Sequence, residues 1–193
     1  HELLVGSNNY MANQIFLEIG GRRLGPPVSL EKSLKVANEM LAAQDLSQAI
    51  HLEEGSGISR ANHFTARGLA KVLALLAPHA DLLKHAKGAA YKTGTLDGVR
   101  TLAGYAQTSK HGQVRFVISI KGNNSALRMQ VMRAIQASKK LLEALWAMDG
   151  EAVAKGIDKA HEEISILQYN DENSLSCTIN LAFYYAREYY TII

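Results

Sequence analysis

A single cysteine, Cys177, in 193 residues excludes an intramolecular disulfide and any cysteine-rich zinc site. No apolar run approaches the length of a membrane-spanning helix, so no membrane span is expected, and no signal peptide opens the chain. The first residue is His1, without an initiator Met, which points to sequence removed upstream or to a fragment. Charge of one sign is lacking too: 21 basic against 18 acidic residues leave +3, too little to argue for a nucleic-acid partner. There are only three prolines, and all of them, with 13 of the 15 glycines, precede residue 138.

What is present is an ordinary globular composition, 47% hydrophobic and 20% charged. It suits one domain of normal size, or one and a small appendage. A chain this long buries most of its unfolded surface and needs no covalent staple. The distribution of charge is uneven. Residues 1–137 hold 16 Lys/Arg against 9 Asp/Glu, giving +7, and residues 138–193 hold 5 against 9, giving −4. Five of the eight tyrosines fall in that shorter second segment. Such a shift reads as a change of module, with the seam near residues 137–145 inside a helix.

Along the chain, the apolar spacing predicts a helix over Tyr10 to Ile19, stopped by Gly20-Gly21, and Gly25-Pro26-Pro27 then breaks the backbone. Ser29 is placed to cap a helix over Leu30–Ala43. Ile50–Leu52 reads as a short strand, Gly55-Ser56-Gly57 as a turn-rich loop, and Thr65 to Leu76 as a helix ended by Pro78. Ala89–Leu96, Thr101–Thr108 and Gln113–Lys121 read as three strands in succession, joined by turns at Asp97-Gly98 and Lys110-His111-Gly112. The third is apolar at 114, 116, 118 and 120 with Val117 on its other face, which suits a sheet covered on both sides. Ser125 is placed to cap a helix to about Met148. Glu151–Leu167 reads as a helix, Tyr169–Asn173 as a polar turn, and Leu175 to Tyr190 as a second amphipathic helix. The sum is an α+β arrangement, an antiparallel sheet flanked by helices, followed by a helical appendage.

Three short motifs occur in order: Ser7-Asn8-Asn9, then Gly55-Ser56-Gly57-Ile58-Ser59-Arg60, then Lys92-Thr93-Gly94-Thr95 on the first strand of the meander. With the extension Leu96-Asp97-Gly98-Val99-Arg100 and with Ala103-Gly104-Tyr105 on the next strand, residues 1–137 resemble the C-terminal part of D-alanyl-D-alanine carboxypeptidase/endopeptidase penicillin-binding proteins, a family of serine peptidases. The resemblance implies a penicillin-binding/β-lactamase-like transpeptidase lobe. It implies serine-type hydrolysis of D-Ala-D-Ala peptides outside the cytoplasmic membrane, in the periplasm or its equivalent. Peptidoglycan stem peptides and β-lactams are then the partners, and no cofactor or metal is required.

Acyl transfer needs a nucleophile, a base, a cation for the substrate carboxylate and donors for the oxyanion. On this resemblance Ser7 relays protons, Asn9 holds the substrate peptide, and Lys92 shapes the electrostatics around the nucleophile. Thr93 and Thr95 bond the terminal carboxylate, Gly94 lies between them on the binding strand, and Arg100 adds positive charge near that carboxylate. The backbone N–H of Thr95 supplies an oxyanion donor, because an edge strand presents unpaired N–H groups to a peptide lying antiparallel to it, opposite Asn9. The family's Ser-x-x-Lys motif, which carries the nucleophile, belongs ahead of Ser7, where only six residues stand. The expectation is therefore a partial domain, inactive alone, awaiting an N-terminal half. Ser29-Leu30-Glu31-Lys32 has the right letters but follows Ser7-Asn8-Asn9 instead of preceding it, and reads as a helix cap followed by a solvated lysine.

The tail, residues 139–193, resembles a segment of bacterial proteins that pair an AAA-ATPase-like region with a PD-(D/E)xK nuclease-like region. The matching residues are Ala144-Leu145-Trp146, Tyr169 to Leu175 and Ala182-Phe183-Tyr184-Tyr185. Glu172 is then the one candidate metal carboxylate, and one carboxylate does not hold a catalytic Mg²⁺. The six histidines after His1 (His51, His63, His79, His85, His111 and His161) show no metal-ligand spacing. A reading from another class is a non-catalytic binding or assembly module, its partner met by the tyrosines at 184, 185, 189 and 190.

Overall fold

The described residues of the computed structural model are 2–108, 112–137, 179–185 and 188–191. The described residues form helices α1 (Glu2–Gly6), α2 (Asn9–Leu24), α3 (Leu30–Ala43), α4 (Ala66–Leu76) and α5 (Ser125–Ala137). A 3₁₀ segment, Ala77–Leu82, follows α4. Strands β1 (Ile50–His51) and β2 (His63–Phe64) make a two-stranded ribbon. Strands β3 (Lys84–Ala86), β4 (Ala89–Leu96), β5 (Val99–Thr108), β6 (Gly112–Lys121), β7 (Ile179–Tyr185) and β8 (Glu188–Thr191) form one antiparallel sheet in sequence order. The α+β arrangement expected from the sequence is thus present, and no helix among the described residues is long and apolar enough to cross a membrane.

Helix starts follow side-chain chemistry. Asn8, Ser29 and Thr65 each stand extended ahead of a helix and accept a backbone N–H three residues on, from Met11, Lys32 and Gly68. Each such cap is worth about 0.5–2 kcal/mol. Helix α5 departs from expectation here. Asn124 Oδ1 accepts from the amides of Ala126 (3.0 Å) and Leu127 (3.2 Å), so Asn124 is the cap and Ser125 the first helical residue. Helix α2 runs through Gly20-Gly21 to Leu24, past the expected stop. Tertiary packing decides it: a Cβ on Gly20 would come within 2.8 Å of Ser33 Cα, so glycine here lets α2 and α3 touch.

The sheet is covered on both faces, as the pattern of β6 requires. Phe116, Ile118 and Ile120 of β6 join Leu102 and Tyr91 in a core closed by Val131, Met132 and Ile135 of α5. On the opposite face Val117, Tyr105 and Ala90 pack on Ala70 and Leu73 of α4, with Leu4 of α1 against them. The Tyr105 hydroxyl donates to the Leu73 carbonyl and locks α4 to the sheet.

The reading of residues 175–190 as an amphipathic helix is corrected by the structure. Residues 179–185 pair antiparallel with β6, Ile120 opposite Ile179 and Arg115 opposite Tyr184, and β8 pairs with β7. Ile179, Ala182, Phe183, Ala186 and Tyr190 do fit a helical period. The segment is also rich in β-branched and aromatic residues, and β6, buried on both faces, requires backbone partners on its second edge. The expected helices beyond residue 137, the turn at 169–173, Glu172 and the turn residues Lys110-His111 lie outside the described residues.

Candidate functional site

Strand β3 pairs only with the first three residues of β4, Ala89 to Tyr91. Beyond Tyr91, no strand among the described residues lies along that side of β4, while its other side stays paired to β5 through Leu96. Residues 92–96 are therefore an open half-strand inside a well-formed sheet. Such a segment keeps its unpaired backbone groups for an incoming extended chain.

Alternation along β4 sends Lys92 towards the α1–α4 face and Thr93 and Thr95 towards the α5 face. On the first face Lys92 Nζ donates to Ser7 Oγ at 2.6 Å and to its neighbour Thr93 O at 3.0 Å. Ser7 sits at the corner between α1 and α2 with φ +55°, left-handed backbone that a non-glycine residue rarely adopts. Its amide closes α1 onto Leu3 O, so the corner is fixed and its hydroxyl is delivered to Lys92. Asn9 opens α2 beside it, with its side chain exposed. Burial lowers the pKa of Lys92 from the usual lysine value, and the positive charge of Arg128 lowers it further.

On the other face Arg128 of α5, 9% exposed, reaches the strand from behind. Its Nη1 donates to Gly94 O (2.6 Å), Thr95 Oγ1 (3.2 Å) and Thr101 O (3.2 Å). Burial and then Arg100 depress its own pKa. Arg100 of β5 stands near enough to Arg128 for its charge to be felt there. It donates to Ser125 Oγ (2.9 Å), Val99 O (2.9 Å) and Leu96 O, tying the β4–β5 hairpin to the start of α5. A Cβ at Gly94 would overlap the side-chain hydroxyl of Thr101 on β5, so glycine leaves that hydroxyl its place.

The second motif is organised by a residue the sequence reading passed over. Glu54 accepts from the hydroxyl and amide of Ser56, the amides of Gly57 (2.7 Å) and Ser59 (3.3 Å), and the side chain of Asn62. Burial opposes the charge, yet these donors outweigh it and hold the carboxyl down to about 2. The loop so shaped sends Arg60 to the hairpin turn, where its Nη2 donates to Asp97 O at 2.7 Å. From the opposite side Asn123 accepts from Gly98 N (2.7 Å) and donates to Asp97 Oδ1 (3.0 Å).

The Ser29-x-x-Lys32 string is placed as a structural element. Ser29 Oγ caps α3, and Lys32 Nζ donates to Gly25 O (2.7 Å) and Pro27 O (2.9 Å). Lys32 is thus bonded to a loop backbone rather than simply solvated. The structure brings together Ser7 with Lys92, and Gly94 and Thr95 with Arg128. Arg128 was missed from sequence, although a signal existed: an arginine on the apolar stripe shared with Val131, Met132 and Ile135 must be buried with partners.

An antiparallel sheet packed between helices, with an open half-strand carrying Lys-Thr-Gly beside a serine-bearing helical corner, defines the class of the penicillin-binding peptidase lobe. Two solved structures of one Haemophilus influenzae protein share this fold. Penicillin binding protein 4 from Haemophilus influenzae matches with a TM-score of 0.55 and 23% identity over 64% of this chain and 33% of that one. The same protein complexed with a β-lactam matches with a TM-score of 0.56 and 24% identity, over 64% and 34%. A predatory endopeptidase from Bdellovibrio bacteriovorus, in complex with an immunity protein, matches at 18% identity and a TM-score of 0.48 over 88% and 44%. The chain belongs to the D-Ala-D-Ala carboxypeptidase 3 (S13) family, whose model matches residues 1–90 and 79–144. It spans about a third of the length of the Haemophilus protein. No curated protein matches it. The AAA-ATPase/nuclease resemblance of the tail finds no support in these comparisons.

Proposed function

We propose that this chain supplies the carboxylate-binding strand and the proton relay of an extracytoplasmic D-Ala-D-Ala carboxypeptidase or endopeptidase acting on peptidoglycan peptides. The observation that carries this reading is the Lys92 Nζ–Ser7 Oγ hydrogen bond of 2.6 Å at the head of the open half-strand. A lysine of lowered pKa bonded to a hydroxyl is a ready proton path. In the reaction, a serine hydroxyl loses its proton and attacks the carbonyl between the two D-alanines. The relay through Ser7 and Lys92 moves a proton to the departing amine, and water later releases the acyl group. The peptide lies antiparallel to residues 92–96, where the Thr95 amide faces the oxyanion. Asn9 holds the peptide from the opposite side. The terminal carboxylate meets Thr93 and Thr95 in a field made positive by Lys92, Arg128 and Arg100.

On this proposal the attacking serine is outside the residues around Lys92, because Ser29 and Lys32 are occupied in capping and bracing α3. The test is incubation with a fluorescent penicillin, followed by intact-mass measurement and peptide mapping. The expected result is a folded chain with no covalent adduct, which acquires one only when a Ser-x-x-Lys-bearing partner segment is supplied. An adduct on Ser29 or Ser7 of the chain alone would overturn the assignment of roles.

A further inference from the structure

A guanidinium placed where water cannot reach it is costly unless its charge is used, and Arg128 is only 9% exposed. Among the described residues no carboxylate forms an ion pair with it, and its Nε is buried without a partner. Its hydrogen bonds among the described residues go to the open half-strand or to the residue paired beside it: Gly94 O, Thr95 Oγ1 and Thr101 O. We propose that Arg128 is a positioning residue that grips Gly94 and Thr95 from behind β4, turns the Thr95 hydroxyl proton outward, and thereby makes the site select a ligand ending in a carboxylate over the corresponding amide.

The hydroxyl argument follows from donor counting. Arginine has only donors, so Thr95 Oγ1 must accept from it, and the one hydroxyl proton is left to point elsewhere. A hydroxyl polarised by a buried cation is a stronger donor, and charge-assisted bonds favour an anionic acceptor. Thr95 is exposed on the strand, so that proton is available to a ligand. The same charge is felt at Lys92 on the other face, where it assists burial in disfavouring the ammonium form.

This inference rests on residues 92–96 being the peptide site, and the experiment separates the two. Binding of N-acetyl-D-alanyl-D-alanine and of its C-terminal amide to the chain is measured by NMR titration. Wild type is expected to prefer the acid by about tenfold or more, the scale of one charge-assisted hydrogen bond. Arg128→Met should remove that preference, weakening the acid about tenfold and leaving the amide within about twofold. Thr95→Val, a change at an exposed position, should do the same even if the Arg128 variant folds poorly. The double variant should lose no more than either single one, since both remove one interaction. Equal weakening of acid and amide in both single variants would reduce Arg128 to a strut and overturn the proposal. If wild type bound neither ligand, the peptide-site reading itself would fall. The unliganded chain would still decide for Arg128: the Lys92 titration must move up in Arg128→Met and stay depressed in Arg128→Lys, and no movement in the former overturns the coupling.

Discussion

Lys92 and Ser7, 85 residues apart in sequence, are joined by a hydrogen bond of 2.6 Å. The contact needs a tight corner between two helices to deliver the hydroxyl and an interrupted strand pairing to leave the lysine accessible. The depression of the Lys92 pKa has burial as its first cause and Arg128 as its second. Ser7→Ala is therefore expected to leave the Lys92 titration depressed. Heteronuclear NMR of the lysine side chain measures it. A return of Lys92 to the ordinary lysine range in Ser7→Ala would show that the hydroxyl, not burial, sets its ionisation.

The same shift makes a statement about stability. With the folded-state value lowered, the unfolded chain binds more protons between the folded and ordinary lysine values, so stability rises with pH across that window. Lys92→Met should flatten this rise. Equilibrium unfolding at a series of alkaline pH values would reveal it, and an identical slope in wild type and variant would count against a depressed Lys92.

Glu54 gives the same direction of pH dependence in the acid range. Its carboxyl drops from the ordinary 4.5 to about 2, so its contribution is complete above 4.5 and is lost as pH falls through about 2. Glu54→Ala strips acceptors from the Ser56, Gly57 and Ser59 amides and from Asn62, with an expected cost of about 1–3 kcal/mol. The amide shifts of Ser56 and Gly57 should titrate together in this acid window. Shifts that moved near 4.5 would show that the loop donors do not hold the charge.

Much of the lobe was legible in sequence because local and tertiary signals agreed. The helix over Leu30–Ala43 begins at a serine cap, and the β4–β5 turn at Asp97-Gly98 stands where the dipeptide predicted it. The partnership of Ser7 with the Lys-Thr-Gly strand came from the family resemblance, and no local pattern encodes it. What was not legible depends on neighbours distant in the chain. Gly20 stops a helix on propensity but continues one where Ser33 packs on it. The tyrosine-rich tail has helical spacing, and only the free edge of β6 selects strand. Glu54 has no local signal in the sequence, because its donors are set only by the fold of its loop.

The hairpin turn offers a local test. Asn123→Ala removes the acceptor for Gly98 N and the donor to Asp97 Oδ1, each worth about 0.5–1.5 kcal/mol. Amide exchange should accelerate at Gly98 and leave the centre of β5 unchanged. Acceleration spread evenly through β4, β5 and β6 would instead mean that Asn123 supports the whole sheet.

Gly94 and Gly104 provide a paired test of how the half-strand is built. A methyl at Gly94 overlaps one hydroxyl, Thr101 Oγ1, and stands at an ordinary 3.6 Å from Thr101 Cβ. Gly94→Ala should therefore cost about 1–3 kcal/mol, and Thr101→Ala in the same chain should recover most of it. A methyl at Gly104 meets the backbone of β4 instead, 2.7 Å from Tyr91 Cα and closer still to Ala90 O. No side-chain deletion removes that overlap, so Gly104→Ala has no comparable rescue. Denaturant unfolding of the three variants distinguishes the cases. If Thr101→Ala failed to rescue Gly94→Ala, the glycine would be required by the strand's own backbone, and the open segment would owe its shape to β4 rather than to its partner on β5.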